Sequence, residues 1–137
     1  MKKTITISST GEEVPIRGRL DCQSSNILYI GECVKGAGGG GACPERNHHG
    51  GVQYCGETGK SAVTRFMGHK NTIVQQCQTG TSLPVGEHFQ SAGHSVTDFI
   101  FTPVEKITSN NVFVRKARER MWINQYDMIR KGLNKKL

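Results

Sequence analysis

The sequence contains no apolar run long enough to cross a membrane, so no membrane partner is expected. Its N-terminus, Met1-Lys2-Lys3-Thr4-Ile5, has two lysines but lacks the apolar stretch and small-residue cleavage site of a secretory leader. An intracellular protein is the expectation, nuclear if the source is eukaryotic. No internal repeat is present. No Cys-x-x-Cys occurs, which counts against a thiol redox protein. Five cysteines are an odd set for a disulfide framework, and without a secretory signal they are expected to stay reduced. Metal binding is then their leading functional reading. Gly56-Glu57-Thr58-Gly59-Lys60-Ser61 ends like a phosphate-binding loop, but the first glycine of such a loop falls where this chain has Tyr54. An NTPase is rejected on that spacing.

Acidic residues are in the minority. Eleven Asp and Glu face 18 Lys and Arg, a formal charge of +7, which attracts polyanions and favours phosphate contacts through counterion release. A length of 137 residues suits one compact domain. Its 35% apolar residues are enough for a modest core, but 17 glycines make the chain costly to order; the stability reserve is thin, and a bound metal would add to it.

Hydrophobic periodicity divides the chain. Residues 1–21 alternate at Ile5 and Ile7 and again around Val14 and Ile16, which fits a short hairpin or an arm lying on the domain. The main domain is expected over 22–137. Asn26-Ile27-Leu28-Tyr29-Ile30 reads as a buried strand. Residues 34–51 form a Gly-rich insertion, and Val52-Gln53-Tyr54-Cys55 reads as a second strand. From 59 or 60 to about 76 the apolar residues Ala62, Val63, Phe66, Met67, Ile73 and Val74 recur at helical spacing. Arg65 and His69, four apart, lie one turn above each other. Asp98 to Glu105 alternates like a third strand. Residues 112–130 read as a second helix packed through Phe113, Ala117, Met121, Trp122 and Ile129. The order β, β, α, β, α is that of a small mixed α/β (α+β) domain: a three-stranded central sheet flanked by helices. Its first two strands are antiparallel, because parallel ones need a longer crossover.

Two constellations carry chemistry. The first is Tyr29, Tyr54-Cys55-Gly56, Arg65, His69 and Glu119. Phosphodiester hydrolysis needs an activated water, a stabiliser for the charged transition state and help for the leaving oxygen. A carboxylate such as Glu119 can hold a hard divalent cation, an arginine fork matches two phosphate oxygens, and Tyr29, Tyr54 or His69 can orient or deprotonate water. Singly, each has an ordinary structural reading: a strand tyrosine usually packs, and charged helix residues usually face solvent. Lys60, Lys70, Arg115 and Arg118 are candidate phosphate contacts that fit a solvated surface equally well. The second constellation is His88 and His94 with Cys33 and Cys43, two thiolates and two imidazoles of the kind that close a structural zinc site. Cys22, His48 and His49 are rival ligands. Cys55 reads as core and Cys77 as a free thiol near a helix end.

Ile27-Leu28-Tyr29 followed by Tyr54-Cys55-Gly56 resembles the paired motifs of the GIY-YIG nucleases. The Gly-Glu-Thr and Arg-Phe-x-x-His elements within Tyr54 to His69, then Arg118-Glu119-Arg120-Met121-Trp122-Ile123 and Gly132-Leu133-Asn134, resemble those of the endonuclease domain of Penelope-like retroelements, in the same order. Ile27-Leu28 replaces the name-giving glycine and isoleucine, and Cys55 replaces an isoleucine; both tyrosines and Gly56 are kept. The resemblance implies a metal-dependent DNA endonuclease with Glu119 as ligand to Mg²⁺ or Mn²⁺ and Arg65 as transition-state clamp. It further implies the tyrosines lining the site, His69 assisting near the phosphate and Asn134 giving a supporting contact. Gly56 is expected to turn the chain from strand to helix. The resemblance also implies a mobile-element enzyme joined to a reverse transcriptase, and two cysteines and two histidines binding zinc; here nine residues separate Cys33 from Cys43, wider than the family pair. The competing expectation is a zinc-stabilised, non-catalytic DNA-binding module.

Overall fold

The computed structural model describes residues 4–16, 20–34, 50–79 and 98–134, with 72–79 described through the backbone alone. Strands β1 (Thr4–Thr6) and β2 (Glu13–Pro15) precede β3 (Ile27–Cys33) and β4 (Gln53–Thr58). Helix α1 (Ala62–Thr79), β5 (Phe99–Lys106) and helix α2 (Val112–Gln125) follow. β1 and β2 pair as an antiparallel hairpin, so the first residues take the hairpin form of the two expected. The others make a three-stranded antiparallel sheet in the order β4-β3-β5. The described residues thus form a small α+β domain with two helices.

β3 is the central strand, and both of its faces are covered. Ile27, Leu28, Tyr29 and Ile30 are all at most 1% exposed, which is why the sequence shows an unbroken apolar run there instead of alternation. One face carries Leu28, Ile30 and Cys55 into the largest core, with Ile5, Ile7 and Val14 of the hairpin and Trp122 and Ile123 of α2. The opposite face carries Cys33, Val52 and Phe99, packed with Tyr54, Phe66 and Phe101. A register shift between Leu28 and Tyr29 puts one extra residue, Val104, into β5, and Val104 turns into the first core.

Helix α2 starts where Asn111 caps it, its side chain accepting from the Phe113 amide at 2.8 Å. It is shorter than the 112–130 expected: Asp127 takes φ 55°, in the left-handed region, and the chain folds back on the sheet. The packing face also differs. Trp122 and Ile123 are buried as expected, whereas Phe113 is 77% exposed, Met121 and Ile129 are also exposed, and Ala117 faces solvent. The inward face runs through Arg115, Arg118 and Trp122 because carboxylates wait for it on the sheet. Glu105 of β5, itself buried, accepts two hydrogen bonds of 2.6 Å from Arg118 and one of 3.2 Å from the Trp122 indole. Glu57 of β4 accepts from Arg115 at 2.8 Å.

Candidate active site

Antiparallel pairing sets Tyr29 opposite Gly56 and Gly31 opposite Tyr54, so both tyrosines project from the same face of the sheet. Their rings lie 6.4 Å apart. Gly56 lies within β4 and does not form the strand-to-helix turn expected of it. Its lack of a side chain serves another purpose: a Cβ there would come within 2.3 Å of the Tyr29 hydroxyl. The far side of Tyr29 stacks on Phe101 at 4.4 Å.

α1 crosses this face and brings the next two groups. His69 is buried, with its Nε2 2.7 Å from the Tyr29 hydroxyl and its ring 5.8 Å from that of Tyr54. Arg65, one turn earlier, donates from Nε to the same hydroxyl at 3.1 Å. Burial, then the Arg65 charge, depresses the imidazole to about 3, so His69 is neutral at physiological pH. The hydroxyl therefore accepts from Arg65 and donates to His69 Nε2, which places the imidazole proton on Nδ1. Burial, then the neighbouring Tyr54, pushes the Tyr29 phenol far above its ordinary range, with Arg65 acting the other way. Tyr29 is wholly buried, so it does not line the site as expected; it orients Arg65 and His69 from behind. Tyr54 is only partly buried. No carboxylate pairs with Arg65 among the described residues.

Glu119 arrives from α2, on the other side of the sheet, by way of the free edge of β4. Three residues of that edge need partners outside the sheet. The Gln53 carbonyl accepts from the Leu133 amide at 2.8 Å. The Cys55 amide and carbonyl are both met by the Asn134 side chain at 2.9 Å, and the Glu57 backbone lies close enough to the Glu119 carboxylate to favour its ionised form. Burial, then the Glu57 charge, raises the carboxyl of Glu119, with Lys116 and Arg120 opposing. Glu119 also lies close enough to Tyr54 that, after burial, its charge is the next cause lifting that phenol to about 12. Glu119 therefore shares the β4 edge with Tyr54.

Asn134 makes a supporting contact, clamping the backbone between Tyr54 and Gly56. Of the four cations proposed for phosphate, two are committed elsewhere. Arg118 is held by Glu105, and Arg115 by Glu57 and the Asn26 side chain (3.1 Å). Lys60 is exposed beside the β4–α1 turn, and Lys70 lies 5.2 Å over the Phe66 ring. The amides of Ala62 and Val63 at the start of α1 bond to the Ser24 and Cys22 carbonyls, so they are not open to a phosphate. Cys33 is buried against Val52 and Phe99, while Cys43, His88 and His94 lie outside the described residues, as do the rivals His48 and His49. Cys22 is exposed and Cys55 buried. Sequence reasoning missed Glu57, Phe101 and Glu105. Alternation along Gly56-Glu57 was the available signal for Glu57, since it sets that side chain on the face opposite Gly56.

Comparison with protein-family models, curated proteins and solved structures finds no match. No helix among the described residues is long and apolar enough to cross a membrane.

Proposed function

We propose that this domain is a metal-dependent DNA endonuclease of the GIY-YIG type, related to those of Penelope-like retroelements. The observation that carries the reading is the gathering of Tyr29, Tyr54, Arg65 and His69 on one sheet face, with Glu119 brought round the β4 edge to Tyr54. A structural ion pair would explain a lone arginine or glutamate. It does not explain a half-buried guanidinium with no carboxylate partner among the described residues together with a half-buried carboxylate, at the other side of the β4 edge, whose ionised form is under-compensated.

The donor chemistry of Glu119 suits a hard divalent cation such as Mg²⁺ or Mn²⁺, whose approach would offset the penalty on the ionised carboxylate. When bound, that ion supplies Lewis-acid polarisation of the phosphate. Arg65, its Nε engaged by Tyr29, offers its remaining N–H groups to the phosphate oxygens and to the charge that grows on them. Tyr54, the more accessible phenol, orients the attacking water. Tyr29 and His69 fix the guanidinium, and the neutral His69 adds no competing positive charge. A zinc ion that includes Cys33, and a covalently linked reverse transcriptase, belong to the same proposal.

A plasmid-nicking assay tests it. Nicking is expected with Mg²⁺ or Mn²⁺ and not with EDTA, and Glu119→Ala is expected to lower the rate by about 10² or more while DNA binding persists. DNA binding without metal-dependent nicking in the parent protein would leave a non-catalytic binding module.

A further inference from the structure

The outward ridge of α2 joins an aromatic ring to two cations beside Glu119. Phe113 is 77% exposed, the most exposed large apolar side chain among the described residues. Lys116 and Arg120 follow at three and four residues, so the three share one helix face. Lys116 Nζ stands 3.6 Å from Glu57 at the β4 edge while its side chain stays half exposed, and Lys116 and Arg120 both act on the Glu119 carboxyl. The N-terminal turn of α2 adjoins the β4–α1 turn, where Lys60 is exposed: a Cβ on Gly59 would lie 3.1 Å from the Arg115 guanidinium.

We infer that this ridge binds DNA next to the cutting site, with Phe113 stacking on an unpaired base and Lys116 and Arg120 following the backbone, so that the preferred substrate carries a single-strand–duplex junction. The inference deepens the nuclease reading and rests on it for the choice of DNA as ligand. Charge complementarity selects the occupant. A protein-docking face is depleted of lysine at its centre, whereas here cations interleave with the apolar residues on a chain of net charge +7. An intact duplex offers no base face to a solvent-exposed ring, but an unpaired base does.

Fluorescence anisotropy without added divalent metal measures binding to a forked duplex and to a fully paired one of matching sequence. The parent protein is expected to bind the fork about tenfold more tightly, the size of one base–aromatic stack. Phe113→Ala should abolish that preference and Phe113→Trp should keep it, while Lys116→Ala with Arg120→Ala should weaken both ligands alike. Because Phe113 is exposed, these variants are expected to fold, which circular dichroism checks. Equal binding of fork and duplex by the parent, an unchanged preference in Phe113→Ala, or a parent dimer that Phe113→Ala dissociates would each overturn the inference. Plasmid nicking separates the two ideas. Nicking with no Phe113-dependent preference sinks the ridge alone, and such a preference without nicking sinks the nuclease and keeps the ridge.

Discussion

The Tyr29 ring occupies the space that any side chain at position 56 would need. Phe101 stacks behind it, and its hydroxyl is held by both His69 and Arg65, so it has no easy direction in which to yield. Gly56→Ala is therefore an overpacking change against a fixed neighbour, expected to cost about 2 kcal/mol in urea denaturation and to weaken nicking as Arg65 shifts. A parent-like unfolding midpoint would show that the ring is not locked. The two tyrosines were legible as a motif, but their different duties were not. Only the depth of β3 beneath α1 separates the buried Tyr29 from the more accessible Tyr54, and depth is a property of layers that pattern along one strand does not reveal.

At α2, two arginines tie the helix to the sheet just ahead of Glu119. Arg115 bonds Glu57 and Arg118 bonds Glu105, with Glu119 immediately after the second. Glu105 is buried, so removing its partner leaves a charge with little water to solvate it. Arg118→Ala is expected to destabilise the fold by about 3 kcal/mol in thermal or urea unfolding, well beyond the effect of breaking an exposed ion pair such as Arg130–Asp127 (i,i+3). Equal, small effects at the two sites would place Glu105 in contact with solvent. The helix itself was readable from spacing. Its orientation was not, because the series Phe113, Ala117, Met121 and the series Arg115, Arg118, Trp122 share the same period. The choice between them fell to Glu57 and Glu105, residues distant in sequence whose carboxylates reward the charged face. The same reason turns Arg115 and Arg118 from candidate phosphate contacts into internal ties.

The stability of the whole domain should fall as the solution is acidified, and His69 is one identifiable cause. Its imidazole sits near 3 in the fold against an ordinary 6.5, so below pH 6.5 the unfolded chain takes up a proton that the folded one refuses. The contribution is complete above pH 6.5 and is lost as the pH falls toward 3. Between pH 7 and pH 5 the loss is about 2 kcal/mol, with the raised carboxyl of Glu119 acting in the opposite direction. His69→Gln, which keeps an acceptor for Tyr29, should flatten this decline in urea unfolding at the two pH values. A parent and variant with parallel pH dependence would refute the assignment.

Strand and helix periods, the basic charge and the paired tyrosine motifs can all be read along the chain, because alternation and helical spacing are local signals. They placed β3, β4, α1, β5 and α2 to within a few residues at most ends. The partners of the β4 edge belong to the folded molecule. Leu133, Asn134 and Glu119 lie far along the chain from Gln53, Cys55 and Glu57, and they meet because open backbone groups on an edge strand must find hydrogen bonds where the chain folds back over them. That requirement brings the α2 carboxylate to the sheet edge that carries Tyr54, and no local pattern specifies it.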